Sequence, residues 1–375
     1  MHTDRPALNA EFSLYLDFVR FTAALCVVVM HIVMAGFVTL EAAAFIPVLG
    51  REAVIAFFVL SGFVIMYSVD KQRNTLKEYA VARCARIYSV ALPVLLASFL
   101  VGAFATTYLG APVGSGYQVL KPQVYIPLHL AFMGEVWNLS EVPPWLAPYW
   151  SLGYEVWYYV IFGAAYFTSG VKRIALVAGI LLLVGFKLWL LFPIWLSGVW
   201  LYRWLKFNTT PVAWARAGWI FSLAGLCVYK LVDAEILLRA YGASIWPFPG
   251  LRLGSADRYL ADYVVCALVL VNFACAASLR FPNLLRLAKP IRALAGYTFT
   301  LYLVHSLVLL LWKEIYPYDA ASVADIALLA LTVGGVTFLA GFVTERRKGA
   351  YERLFRALYE RASRVWAAGT SVFQR

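Results

Sequence analysis

The sequence predicts an all-α integral membrane bundle of about ten transmembrane helices, and three observations predict it. Of 375 residues, 63% are hydrophobic and only 14% charged, against about 25% charged in soluble domains. Apolar windows of about 17–25 residues recur along the chain, each long enough to cross a hydrocarbon core of about 30 Å as a helix. The windows are too long and too evenly apolar for the alternating strands of a membrane barrel, and lipid admits no other spanning backbone.

The first span, about 14–37, is apolar apart from Asp17, Arg20 and His31. The second, about 53–69, holds Ser61 and Gly62 at mid-depth, a small pair that lets another helix approach closely. A helix opened by Thr75, with Glu78 at the spacing of a capping box, runs into the third span, about 88–109. The piece near 124–133 is too brief and too proline-flanked to cross and is expected to be re-entrant or interfacial. The fourth span, about 149–169, carries Ser151 and Glu155 one turn apart. The fifth and sixth, about 174–192 and 194–206, are divided at Phe192 and Pro193. The seventh and eighth, about 212–230 and 259–278, flank a loop with Arg239, Arg252 and Arg258. This loop reads as an acceptor-binding surface or a solvated one. The ninth, about 296–312, carries Tyr297, Tyr302 and His305; the tenth is about 323–343.

Lysine and arginine resist translocation, so their distribution orients the bundle. With the N-terminus inside, 23 of the 32 fall on the cytoplasmic side and seven on the other; Arg20 and Lys187 lie within spans. Both termini are therefore expected in the cytoplasm, with the chain in the cytoplasmic (inner) membrane. Residues 1–343 form the transmembrane domain and 344–375 a basic amphipathic tail. In that tail Tyr351, Leu354, Phe355, Leu358, Val365 and Trp366 fall near one stripe amid arginines, as in a helix lying on an anionic leaflet. The net charge of +12 follows from this bias and gives no reason to invoke nucleic acid. The five cysteines suggest neither a disulfide framework nor a metal site. No cleavable signal, internal repeat or appended soluble domain is evident.

Arg20 and His31 are eleven residues apart, so they share one helix face within about 20° and stand about 16 Å apart along the axis. An ionisable group at that depth costs about 2.5–3.5 kcal/mol even on a lenient scale, so both should face the interior or a wet cavity. Asp17 is placed to partner Arg20. The plain alternative is an arginine that snorkels and a hydrogen-bonded core histidine. Glu155 falls at the depth of His31, so the two can meet, and a carboxylate there must be protonated, paired or wet. Arg83 and Arg86, at i and i+3 near the cytoplasmic surface, present paired guanidinium forks that suit phosphate oxygens, or else only set topology.

Arg20 with His31 eleven on, "FFVLSGFVI", Arg83-x-x-Arg86, "YWSLGYE" and "YTFTLYLVHS" occur in an order and spacing that resemble the acyltransferase-3 family, over about residues 14–343. The resemblance implies a multi-pass enzyme that moves an acyl group, often acetyl, from cytoplasmic acyl-CoA to an extracytoplasmic carbohydrate. It implies His31 as the catalytic histidine, Arg20 as its companion, Arg83 and Arg86 as the acyl-CoA site and Glu155 as the acidic motif position. The chain departs from many relatives at Phe18 and Val19 and at Val156 and Trp157, and no C-terminal esterase-like domain is evident.

The chemistry is coherent without the family. A sugar hydroxyl needs a base to attack a thioester, and a neutral imidazole matches neutral pH. His31 takes that role, with Glu155 expected to orient it. Ser61, Ser151, Tyr302 and His305 are candidate donors to the developing oxyanion or to substrate. Direct transfer and an acyl-histidine intermediate both stand; no metal is implied. The rival classes are a lipid-linked glycan ligase or polymerase and a secondary transporter.

Overall fold

The computed structural model describes residues 8–110 and 116–372, with side chains to residue 364. Ten long helices occupy the ten expected places: α1 (Ala10–Met34), α2 (Gly50–Gln72), α3 (Leu76–Phe104), α4 (Tyr149–Phe167), α5 (Gly170–Val184), α6 (Phe186–Phe207), α7 (Val212–Leu231), α8 (Tyr259–Ala276), α9 (Thr298–Ile315) and α10 (Val323–Val343). α11 (Lys348–Val372) is the tail. Among the described residues all regular structure is helical. Eight of these helices are long and apolar enough to cross a membrane. The two that are not are α4, dense in tyrosine and tryptophan, and α5, with 15 residues. Odd-numbered helices from α1 to α9 begin at one end of the bundle, the proximal end, and even-numbered ones at the distal end.

Local chemistry sets several boundaries. The Asn9 side chain accepts the Phe12 amide at 2.7 Å and opens α1. The capping box at α3 forms as expected, with the Thr75 amide donating to Glu78 at 2.8 Å and the Glu78 amide to Thr75 Oγ1 at 3.3 Å. Such a cap stabilises a helix start by about 1 kcal/mol. The 124–133 piece is a nine-residue helix, Pro122–Leu130, too short to cross.

The division between the fifth and sixth spans is corrected: it falls at Gly185, not at Phe192 and Pro193. Gly185 has φ +82° and ψ −179°, a conformation that in practice only glycine adopts, and the Trp137 ring lies where a side chain would go. Pro193 sits inside α6 on its exposed side, and its buried neighbours Leu191, Ile194 and Trp195 keep the helix packed through the position that lacks a backbone donor.

α2 is the most enclosed spanning helix, and its seam with α6 is made of glycine. A methyl group at Gly62 would overlap the Trp195 carbonyl, and one at Gly198 the Val59 carbonyl, so the two backbones touch. Around this seam Phe58, Tyr158, Phe162, Phe192 and Trp195 form a run of ring contacts. The expected role of the Ser61–Gly62 pair in close approach is therefore observed.

The distal end is tied by buried ions. Lys187 is fully buried and pairs with Glu135 at 3.0 Å, while Arg51 pairs with Asp262 at 2.5 Å and donates to the Ser255 carbonyl at 2.7 Å. Burial pushes the Glu135 carboxyl above the usual carboxylate range, opposed by the Lys187 ammonium. Arg258 pairs with Glu52 at 3.0 Å and Glu235 at 2.9 Å, and Arg239 with Asp257 at 2.5 Å. Of the three loop arginines, Arg258 thus ties the 231–258 segment to α2, Arg239 pairs within the segment, and Arg252 remains exposed.

The tail is docked on α3. Lys77 pairs with Glu360 at 2.9 Å, and the rings of Tyr88 and Phe355 are 5.4 Å apart. Leu354 and Leu358 of the expected stripe stay exposed; the Val365 and Trp366 side chains lie outside the described residues.

Candidate active site

Between α1, α2, α3, α4 and α9 lies a cavity of about 310 Å³. Arg20, Ser61, Arg83, Arg86, Ser151, Glu155 and Tyr302, all singled out in the sequence, line it. Its wall follows α2 from Ile65 to Val54, eleven residues or about 16 Å. Exposure falls along it: side-chain exposure is 36% for Arg86 and 41% for Lys348 at the proximal mouth. At the inner end Ser151 is 5% and Tyr302 8% exposed.

Four cations, Arg20, Arg83, Arg86 and Lys348, face this cavity with the single lining carboxylate of Glu155. Asp17 partners Arg20 at a loose 3.7 Å, as expected. Arg86 lies 3.6 Å from Glu345 and over the Phe299 ring, and Arg83 Nε is buried without a hydrogen-bond partner. The mouth is a concentration of positive charge with donor capacity to spare, which is the electrostatics of an anion site.

The expected Glu155–His31 pair does not form. Glu155 accepts a short hydrogen bond from Tyr159, one turn along the same face of α4, so its carboxylate is committed within the cavity. Tyr159 also meets Ser61 at 3.1 Å, and Trp195 donates to Ser61 at 3.1 Å. His31 instead meets His305 of α9, whose Nε2 is 3.2 Å from His31 Nδ1. The two Nδ1 atoms face the carbonyls of Val27 and Leu301 at 2.8 and 2.9 Å. A carbonyl only accepts, so in each neutral ring Nδ1 carries the proton. His31 Nδ1–H then also donates to His305 Nε2, and the free lone pair of His31 sits on Nε2. His305 is fully buried, His31 half-buried. The remaining described histidine, His129, is caged by aromatic rings and bonded to Gln118 at 2.9 Å; burial lowers it to about 4.

His31 and His305 are not among the residues lining the cavity. Its inner end is closed by Ser151 and Tyr302, whose hydroxyls are 2.6 Å apart. Tyr302 is one turn from His305, with ring centres 6.5 Å apart. Tyr159, Thr298, Glu345 and Lys348 were not foreseen. Tyr159 had a signal, the i, i+4 spacing from Glu155; the others depend on how α9 and the tail pack against α3.

Residues 13–345 match the acyltransferase domain of the acyltransferase-3 family. The chain belongs to this family. The matched residues include every lining residue of the cavity except Lys348. The chain is also 29% identical over 137 residues to the exopolysaccharide production protein ExoZ of Rhizobium meliloti (strain 1021), an alignment covering 36% of this chain and 40% of that relative. No solved structure gives a significant match. Within the family-matched region the arginines and the cavity are followed by the histidine pair, which lies beyond the Ser151–Tyr302 closure.

Proposed function

We propose that this acyltransferase-3 protein is an O-acyltransferase that moves an acyl group, acetyl in the simplest case, from acyl-CoA to a hydroxyl of a polysaccharide. The proximal end faces the cytoplasm, the distal end faces the acceptor, and the membrane is the inner one. The observation that carries this reading is the elongated cavity with a cationic mouth that ends one helical turn from a histidine pair. Phosphates at Arg83 and Arg86 leave the pantetheine arm directed inward, and about 16 Å is within its reach. The polysaccharide acceptor is supported by the name of the ExoZ relative.

In the reaction His31 Nε2 takes the proton of the acceptor hydroxyl as its oxygen bonds to the thioester carbonyl carbon. His305 receives the hydrogen bond from His31 Nδ1 and so fixes the ring with Nε2 free, the part expected of Glu155. The Tyr302 and Ser151 hydroxyls, at the end of the cavity, donate to the tetrahedral oxyanion. Collapse expels the CoA thiolate, which takes the proton from His31. Glu155, with Tyr159, sits among the arginines as their counter-charge. The ligase reading rested on free arginines in the 231–258 loop, and the pairing of Arg239 and Arg258 weakens it.

Purified protein given labelled acetyl-CoA and polysaccharide from a strain lacking the gene tests the proposal: label on polysaccharide hydroxyls supports it, and polymer extension without acyl transfer contradicts it. Converting Arg83 and Arg86 together to alanine should raise the KM for acetyl-CoA about 10- to 100-fold with little change in kcat, since hydrogen bonds to charged groups contribute about 1.5–3 kcal/mol. An unchanged KM removes their role.

A further inference from the structure

Lys348 lies beyond the residues matched by the family, yet its side chain lines the cavity beside Arg20, Arg83 and Arg86. The chain between α10 and α11 is fastened at the mouth. Thr344 and Thr300 share a hydrogen bond at 2.9 Å, Thr300 donates to Glu345 at 3.2 Å, and Glu345 lies 3.6 Å from Arg86. Further along, the Lys77–Glu360 pair and the Tyr88–Phe355 ring contact hold α11 along α3. Lys348 is therefore held at the mouth from both sides.

The ammonium of Lys348 is not firmly committed. Its partner is Glu352, at 3.3 Å, and both side chains are about two-fifths exposed, at 41% and 42%. An exposed i, i+4 pair of this kind contributes about 0.3–0.5 kcal/mol, so a multiply charged phosphate displaces Glu352 readily. Arg83 Nε is buried without a hydrogen-bond partner, so the wall beside Lys348 has donor capacity unused by the protein, while the unbonded Glu345 oxygen is the one that lies 3.6 Å from Arg86.

We propose that Lys348 is a donor-binding residue and that the tail helix forms one wall of the donor site, its ammonium joining Arg83 and Arg86 on the phosphates of acyl-CoA. This rests on the reading of the cavity as the acyl-CoA site. The tail, expected from sequence to lie on the leaflet, then serves the reaction directly. The same ammonium chemistry would also suit an anionic lipid headgroup, and the test separates the two.

The full chain in phosphatidylcholine nanodiscs is assayed for CoA affinity and for acetyl transfer. Lys348→Ala should weaken CoA binding and raise the KM for acetyl-CoA about five- to tenfold, with kcat within about twofold, and Lys348→Arg should restore both. Unchanged CoA affinity in Lys348→Ala, with loss in the Arg83 and Arg86 double variant, overturns the role of Lys348 and leaves the cavity reading standing. A Lys348→Ala effect that appears only with anionic lipid in the disc assigns the residue to a headgroup and also overturns the proposal. Absence of CoA binding by the unaltered chain overturns both readings.

Discussion

Replacing His31 with alanine is expected to lower the turnover of acyl transfer about a thousandfold while leaving CoA affinity within about twofold. The magnitude follows from the loss of a positioned base, which contributes about 10²–10⁴-fold. The separation of the two effects follows from geometry: His31 is outside the cavity lining, beyond the Ser151–Tyr302 closure, whereas the cations sit at the mouth. His31→Gln keeps a polar group but no base and should be equally inactive. His305→Gln should be milder, about tenfold, because His305 positions His31 and the Val27 carbonyl still holds Nδ1. Parallel loss of binding and turnover in His31→Ala would assign the histidine to folding or to the donor site instead. Steady-state rates and CoA binding on the same preparation decide between these outcomes.

Gly198→Leu is expected to abolish the folded protein, at a cost above about 4 kcal/mol, the range reserved for core overpacking and backbone strain. A side chain there meets the Val59 carbonyl, which is backbone and cannot rotate away. α2 and α6 must separate, which opens the reciprocal contact of Gly62 with the Trp195 carbonyl and disturbs Ser61, bonded to Trp195 and Tyr159 in the cavity wall. Gly179→Ala in α5, where nothing lies within 4 Å, should be silent. Size-exclusion profiles of detergent extracts report the difference. A monodisperse, active Gly198→Leu protein would mean that the α2–α6 seam is not closed as described.

Helix placement was legible because the bilayer imposes length and composition on every span. Thr75 and Glu78, Asp17 and Arg20, and the small pair at Ser61 and Gly62 were legible because each involves neighbours on one helix or the local demand for a small surface. The α5–α6 division was misread because proline outweighed glycine in a uniformly apolar run, whereas the backbone conformation at Gly185 decides it. Arg20, Ser151, Glu155 and Tyr302 stand out in the sequence as polar groups within spans, Ser61 as part of a small pair and Arg83 with Arg86 as a guanidinium pair near the surface, and all share one cavity. The partner of His31 was not legible. Depth pointed to Glu155, with His305 nearer mid-membrane, and only the rotation of α4 and α9 about their axes commits Glu155 to Tyr159 and His305 to His31. The contribution of the tail was hidden for the same reason, since Arg86 and Glu345 are 259 residues apart in sequence.

The route from the arginine mouth to the histidine is tested most directly by an experimental structure with a non-hydrolysable acyl-CoA analogue bound. The arrangement predicts phosphates within hydrogen-bond distance of Arg83 and Arg86, and an acyl end that has parted the Ser151 and Tyr302 hydroxyls to lie against His31 Nε2. An analogue whose acyl end stops at Glu155 with the Ser151–Tyr302 bond intact, or whose phosphates lie away from the arginines, contradicts it.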